Sequence, residues 1–531
     1  MKMVKSLMLG SAAGLVAMSG AQAADLPVKA KPVEYVRICS LYGAGFFYIP
    51  GTDTCIKLGG YLRVDVLANT NSDDTGNTSG AGGAKNRFTN GYTWRSREDL
   101  TIDPRTATEY GVVRTFWDAT FSWTTDSFAG QGNGTTVYSP IGAVSAPNNA
   151  NAGAVAGGTV GVYYAFIQFA GFTIGKAISQ FSTPWTNYPG NNYDGLVGGG
   201  GTVTGVNQFS YTADFGNGVS GTISAQDSVA YYQAGVNNLD GTAVVPGTGI
   251  LASTGALGAF GTSDYAGTIT PDFVGMIRVD QAWGLFQASV AAHDNHVAYY
   301  SPLGVEINGH PDDRWGWAAQ LALSIKNIPT GAGDTINVQG VYTDGATRYN
   351  IQDLAGAAGA NTIYGGTHLV GAYQSVGFGT APDTVFATGF QQQLVQTWGM
   401  RGGYTHNWNP YWNSSIYGAF AAVHYNDTSK TLICGVGGVG GSFRGALTSV
   451  ATGTAVTSCN PDYNIAQLGF ITRWTPVKNL TFSADFTYTH LDQKMAGTVN
   501  AASNGIGKPA AVYELKDQDT VLLLLRAQRN W

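Results

Sequence analysis

The stretch Ile56-Lys57-Leu58-Gly59-Gly60-Tyr61-Leu62-Arg63-Val64-Asp65-Val66 has a period of two: Ile56, Leu58, Leu62, Val64 and Val66 share one parity, and Lys57, Tyr61, Arg63 and Asp65 the other. Successive side chains of a strand point to opposite faces, so this segment reads as a strand with one aliphatic and one charged face. In a soluble sandwich the aliphatic face turns inward; in a transmembrane barrel it meets lipid, and the charged face meets water inside. Repetition of the pattern separates the two cases. Stretches of the same kind recur near 93–103, 109–123, 160–169, 172–181, 206–215, 219–228, 272–280, 285–294, 313–325, 334–344, 394–407, 413–425, 464–474, 480–491 and 519–531. That makes about sixteen strands, an even number of the kind that closes an antiparallel barrel.

The connectors alternate in length. Short polar or Gly-containing turns lie at Asp103 to Thr108, Ala170-Gly171, Asp214 to Gly218, Gln281 to Gly284, Asn327 to Gly333, Asn407 to Trp412 and Thr475 to Asn479. Long ones fall near 68–92, 124–159, 182–205, 229–271, 295–312, 345–393, 426–463 and 492–518, rich in Gly, Ala, Ser, Thr and Asn. Short turns at one end and long loops at the other are the plan of an outer-membrane barrel, with periplasmic turns and external loops. Low-complexity patches such as Gly198-Gly199-Gly200-Gly201 then read as external loops rather than interdomain linkers, because strands flank them on both sides.

Composition agrees. Of 531 residues 74 are Gly, and charged residues make up 12% against a usual ~25%. Hydrophobic content of 44% and aromatic content of 12% exclude intrinsic disorder. A mean hydropathy of -0.03, with no long apolar run past the N-terminus, excludes a bundle of membrane helices. A net charge of -6 with only 28 Lys and Arg leaves no basic surplus for nucleic acid.

Lys2 and Lys5, the apolar stretch from Leu7 to about Ala17 and then Ala21-Gln22-Ala23 follow the order of a secretory signal peptide. Cleavage after Ala23 is expected, leaving residues 24–531 as a single barrel domain with a formal charge of about -8. Cys39, Cys55, Cys434 and Cys459 then sit in an oxidising space, where four cysteines allow three connectivities. The short separations favour Cys39 with Cys55 and Cys434 with Cys459 as local staples of about 3 kcal/mol each.

Trp94, Trp117, Trp123, Trp315, Trp408, Trp412 and Trp474 lie near strand ends or turns, where rings would form the girdles of the two membrane interfaces. The last strand ends on Trp531, with Ala527, Leu525, Leu523 and Val521 on its parity and Arg526, Gln528 and Asn530 on the other. A terminal aromatic strand is a further mark of such barrels. Arg529 breaks the apolar parity and would snorkel at the interface.

The segment from Val36-Arg37-Ile38-Cys39 through Gly43-Ala44-Gly45-Phe46-Phe47-Tyr48-Ile49-Pro50-Gly51-Thr52-Asp53-Thr54-Cys55 to Arg63 closely resembles the opening of the trimeric porins of rhizobial and related alphaproteobacteria. The resemblance continues in Glu109-Tyr110-Gly111, in Ala165 through Lys176 and in Leu525-Arg526-Ala527-Gln528-Arg529-Asn530. It implies a sixteen-stranded general diffusion porin, a homotrimer amid outer-membrane lipid and lipopolysaccharide, whose third long loop folds into the pore. No cofactor is implied. The loops at 229–271 and 345–393 are longer than the family's.

The connector after the fifth strand, from Gln180 to Gly195, occupies the place of that inward loop, and Asp194 is its only acid. Across the lumen the polar parity of the early strands carries Lys57, Arg63, Arg95, Arg97 and Arg114. Opposed charges across a water-filled constriction order permeating solutes and set ion preference. Arg63, Arg95, Arg97, Arg114 and Asp194 are the expected constriction, unless Asp65, Asp99 and Asp118 neutralise the arginines. Rival chemistry is poorly supported: His293 and His296 lack a third ligand at fixed spacing, so no metal site follows. The run Gly435 to Gly441 has no Lys-Ser or Lys-Thr after it and makes no phosphate loop. The sequence therefore reads as a passive channel for small hydrophilic solutes and ions, not an enzyme. A solute-specific channel is the near alternative and an outer-membrane lipid hydrolase the distant one.

Overall fold

The computed structural model describes residues 37–69, 92–124, 159–192, 194–200, 204–229, 233–239, 262–263, 265–300, 306–351, 362–366, 374–435, 455–501 and 511–531. The expected signal peptide and the interiors of the first two long loops lie outside these residues. Sixteen strands follow in chain order: β1 Thr54–Asn69, β2 Tyr92–Thr108, β3 Gly111–Thr124, β4 Thr159–Phe169, β5 Phe172–Ala177, β6 Val206–Gly216, β7 Val219–Gln226 and β8 Asp272–Gln281. The second half comprises β9 Gly284–Asn295, β10 Arg314–Lys326, β11 Thr335–Asp344, β12 Gln396–Asn409, β13 Trp412–His424, β14 Tyr463–Val477, β15 Leu480–Gln493 and β16 Gln518–Asn530. Each pairs antiparallel with the next, and β16 returns to β1 with Val64 opposite Ala527, so the sheet closes. Closure removes every edge and satisfies the backbone within the wall, as a membrane span requires.

The period of two sorts the faces. On β1 the aliphatic parity is outside, with Leu58 and Leu62 exposed, while Asp65 on the other parity is fully buried. Around the barrel Phe209, Ile223, Ile277, Leu321 and Leu468 are likewise exposed, Ile223 to 70%. An apolar belt of this extent is far larger than water-soluble proteins tolerate, and it fits lipid. Trp94, Trp123, Trp315, Trp408, Trp412 and Trp474 are exposed as the girdles require. Trp117 departs from that expectation: it is half-buried in the middle of β3, opposite Ile102 and Ala165.

The short connectors gather at one end. Ala170 and Gly171 have φ of 49° and 88°, and Asn217 and Gly218 have 51° and 72°, the paired left-handed residues of tight hairpins. The eight-residue turn before β11 is organised by Asp334, whose carboxylate accepts hydrogen bonds from Thr330 Oγ1 (2.7 Å), Tyr404 OH (3.0 Å) and the Asn407 amide (2.9 Å), with His406 Nδ1 at 2.7 Å.

Three features differ from the sequence reading. β2 runs on to Thr108 through Pro104, so the turn is only Glu109-Tyr110. β5 stops at Ala177 rather than 181, because Gln208 Nε2 donates to the carbonyls of Ala177 and Ile178 and the chain leaves the wall. Parts of the long loops also form regular structure. Val236–Asn238, Thr262–Ser263, Thr384–Phe386 and Gln393–Leu394 make one small sheet. Thr362–Gly366, Gln374–Gly379, Ala455–Ser458, Ala496–Ala501 and Ala511–Leu515 make another. Cys39 is bonded to Cys55 and Cys434 to Cys459, with Cα separations of 6.0 and 5.7 Å, the pairing the spacing favoured.

Candidate pore constriction

Over residues 178–192 and 194–200 the chain crosses the interior instead of staying in the wall, with a one-turn helix, α1, at Pro184–Asn187. Its backbone is held by lumen-facing side chains of the opposite strands. Gln320 Nε2 on β10 donates to Phe181 O (2.8 Å), Gln287 Nε2 on β9 to Ser182 O (3.1 Å), Asn337 Nδ2 on β11 to Pro189 O (3.2 Å) and Arg473 Nη2 on β14 to Gly190 O (2.8 Å). The amide of Asn192 donates to Asp485 Oδ2 on β15 (2.6 Å). Gln467 on β14 serves both ways, accepting from Val197 N (2.9 Å) and donating to Gly195 O (3.0 Å). A glutamine carries both a donor and an acceptor, so it can satisfy a buried loop backbone without adding charge.

The run Gly198 to Gly200 belongs to this inward loop, which corrects its reading as external. Gly198 has φ of 86° and lies so close to the Met400 carbonyl of β12 that no Cβ would fit there. The sequence reading also missed Gln208, Gln287, Gln320, Gln339 and Gln467. Their signal was present, as glutamines recurring on the polar parity of five strands.

The loop narrows the lumen unevenly. On β13 to β16 the inward parity mixes polar anchors with buried apolar residues: Ala421, Ile465, Leu491, Leu522 and Leu524 pack in one cluster with Leu196 and Val197 of the inward loop and with Val385, Tyr425 and Ile433 from the external loops. On β1 to β4 the inward parity is polar and half-exposed, with Tyr61, Arg63, Arg97, Tyr163 and Tyr164. The passage therefore lies against the β1–β4 wall.

On that wall Asp65 accepts from Arg95 Nη2 and from Arg526 Nε, each at 2.6 Å, so one buried carboxylate holds two guanidinium groups. Arg95 is itself buried to 2% exposure by this pairing. Arg63 donates to Gln528 Oε1 (2.8 Å) and lies over the Tyr61 ring, and Arg97 donates to Ser122 Oγ and Tyr163 OH, both at 2.8 Å. Both are thus held by neutral groups, and among the described residues no carboxylate is bonded to either. Opposite them, Asp194 accepts from Tyr188 OH (2.7 Å) and lies within electrostatic reach of Arg95, Arg97 and Arg526. Burial, followed by the charge and hydrogen bond of Asp194, pushes the Tyr188 phenol well above its ordinary pKa, so it remains a donor.

The structure thus brings Arg63, Arg95, Arg97 and Asp194 together and adds Arg526, which shares their parity on β16. Arg114 is not with them. It pairs with Asp103 (2.9 Å), as does Arg105, near the short-turn end, eight residues or about 27 Å along the wall from the level of Arg97. Asp99 and Asp118 occupy neighbouring diagonal positions between these two levels.

His293 and His296 point apart. His293 Nδ1 lies 2.8 Å from Asp272 Oδ1 and its Nε2 3.5 Å from Asp383 Oδ2, whereas His296 pairs with Asp313.

A family profile described as Porin subfamily matches residues 25–524. The chain belongs to this porin family. Porin Omp2b of Brucella suis biovar 1 (strain 1330) is 35% identical over 298 residues, 55% of this chain and 67% of that protein. Porin Omp2a of Brucella ovis is 35% identical over 278 residues, 51% of this chain and 71% of that protein. Among solved structures, the outer membrane channel DcaP of Acinetobacter baumannii is 16% identical with a TM-score of 0.49, covering 91% of this chain and 99% of that one. The anion-selective porin from Comamonas acidovorans is 8% identical with a TM-score of 0.42, covering 90% of this chain and 100% of that one. This porin is a channel of the Gram-negative outer membrane. Family membership indicates a channel rather than an enzyme.

Proposed function

We propose that this porin is a homotrimeric general diffusion pore for small hydrophilic solutes and ions, and that its constriction is framed by Arg63, Arg97 and the Arg95–Asp65–Arg526 cluster on the wall and by Asp194 on the inward loop. The observation that carries this is the loop lodged across the lumen, which leaves a passage against a wall whose exposed cations are bonded to neutral groups. Asp65 offsets one of its two arginines, and Asp194 is the one acid of the loop segment. The local balance is positive although the chain is acidic overall. Screening over ~8 Å at physiological salt hides distant loop charges from an ion in the passage, so a weak anion preference follows. Arg114 would act in the exit vestibule rather than in the constriction.

Reversal potentials in asymmetric KCl test this reading. Wild type should favour chloride weakly, and Arg63→Ala with Arg97→Ala should move the potential toward cations. An unchanged potential would remove these residues from the constriction.

A solute-specific channel has one observation in its favour, the rings of Phe116, Tyr164 and Phe166 along β3 and β4, with Phe116 and Phe166 stacked at 5.3 Å between centroids. Saturable block of the current by one solute class would support it.

A further inference from the structure

The two longest connectors, 229–271 and 345–393, meet where Thr384–Phe386 lies parallel to Val236–Asn238. The second of them, the sixth long loop, does more than cover the mouth. On leaving β11 it makes a single 3-10 turn at Thr347–Tyr349, and Ala346, Thr347, Tyr349, Asn350 and Ile351 are all fully buried. The Tyr349 ring meets Phe181 of the inward loop edge-on, 4.6 Å between centroids, and its hydroxyl donates to Asp272 Oδ2 on β8 (2.5 Å). The Asn350 carbonyl accepts from the Gly199 amide of the inward loop (3.0 Å), and Asn350 Nδ2 donates to Thr397 Oγ1 on β12 (2.9 Å). Ala346 and Tyr349 also share one apolar cluster with Phe181 and with Val274, Ala291 and Ala318 of the lumen-facing parity. A turn that packs on lumen-facing side chains and on the inward loop stands inside the barrel.

A knot of buried charge holds it there. His293 on β9 has a carboxylate at each ring nitrogen, Asp272 Oδ1 at 2.8 Å from Nδ1 and Asp383 Oδ2 at 3.5 Å from Nε2. Asp383 lies on the returning limb of the sixth loop and accepts from the amides of Thr347 (2.6 Å) and Ala234 (2.8 Å) and from Tyr265 OH (2.8 Å). One carboxylate thus gathers both limbs of the sixth loop and two points of the fourth, and the imidazole ties it to the wall. Asp272, His293 and Asp383 are all fully buried. Charges buried in this way are tolerated only where donors converge on them, and removing one partner strands the others, so the seat is kept or lost as a unit.

We propose that residues 346–351 form a second aperture-setting plug, seated on the inward loop, and that Asp272, His293 and Asp383 are the positioning residues that hold it. The plug closes the sector of lumen along β8 to β12, five of the sixteen strands, and so confines the passage to the opposite wall. This rests on the diffusion-pore reading given above and assigns that pore a second determinant of its size limit.

Single-channel recording of the full chain in a planar bilayer, with polyethylene glycols of increasing size in the electrolyte, reads the aperture. Asp383→Ala should raise the conductance and shift the exclusion limit to a larger glycol, because it releases both limbs of the loop together. Asp383→Asn keeps an acceptor oxygen for the amides and should fall between Asp383→Ala and wild type. Heat-shifted migration on gels reports folding of the barrel separately from the aperture. Should Asp383→Ala not reach the folded band, Tyr349→Ser carries the test with the same expected shift, since it empties the plug and leaves His293 and Asp383 in place. Folded variants with the wild-type conductance and exclusion limit would overturn the plug and leave the diffusion-pore reading intact. Wild-type barrels that insert without conducting would remove that reading, and the plug with it.

Discussion

Arg95 and Arg97 show what a sequence conveys about single residues and what it withholds. Two apart on one strand, they share a face, and that much is legible from parity. Their fates differ because Asp65 stands directly across from Arg95 in the β1–β2 register, a relation that only strand pairing reveals. The two positions should therefore behave differently. A unit charge ~5 Å from an ion in water is worth about 0.8 kcal/mol, a factor of ~4 in local ion concentration. Arg97→Ala should lower the anion-to-cation permeability ratio, read from reversal potentials, by up to the square of that factor, about 16-fold, because the anion loses an attraction and the cation a repulsion. Arg95→Ala should act mainly on stability, because it leaves the buried Asp65 with one partner fewer. Asp334 allows a prediction with a pH sign. Burial works against its charged form, but the hydrogen bonds from the Asn407 amide, His406, Thr330 and Tyr404 outweigh it and hold its carboxyl well below the usual carboxylate range. A depressed folded pKa gives stability that is present above the unfolded value near 3.9 and is lost as pH falls through the folded value. Asp334→Asn should lower the temperature of the folded-to-unfolded gel shift at neutral pH. The difference from wild type should shrink below about pH 4; a constant difference down to strong acid would contradict the assignment.

Elements were easier to read than their boundaries or their long-range partners. The barrel strands announce themselves through period-two alternation, which depends only on nearest residues. Asp103-Pro104-Arg105 looks like a turn, whereas Arg105, which grips Asp103 together with Arg114 of the neighbouring β3, belongs to a strand that continues to Thr108. The loop sheets were invisible for another reason: Thr384–Phe386 lies parallel to Val236–Asn238, a pairing between distant loops of low-complexity composition. The inward loop's docking was half legible, its place following from the strand count and its glutamine anchors going unread. Gly198→Val tests that docking, since a β-branched side chain at φ 86° both strains the backbone and meets the Met400 carbonyl. Single-channel conductance and open-channel noise should rise as the loop leaves its seat; unchanged traces from a folded barrel would show that the loop does not set the passage. The staple across the seventh long loop is separable from the barrel. Replacing Cys434 and Cys459 by Ser should release about 3–4 kcal/mol of loop constraint and speed limited proteolysis of the external loops. The heat-shift temperature of the barrel should stay the same.

At the scale of the molecule, a closed barrel with an apolar belt, two aromatic girdles and a lumen half filled by its own loops has one physical consequence, an off-centre aqueous passage beside β1 to β4. Strand number, exported context and the polarity of the two faces followed from the sequence, because all three are written as local pattern. The off-centre passage did not, since it arises from apolar side chains on β13 to β16 that share the lumen parity with polar ones and become buried only when Leu196, Val197 and the external loops reach them. The central claim is that this passage conducts by diffusion through water. Single-channel recording of the purified protein in a planar bilayer, over a series of KCl concentrations, tests it most directly. The account predicts discrete ohmic steps whose conductance rises in proportion to the bulk conductivity of the salt. Folded barrels that insert without conducting, or a conductance that saturates at low salt, would contradict it.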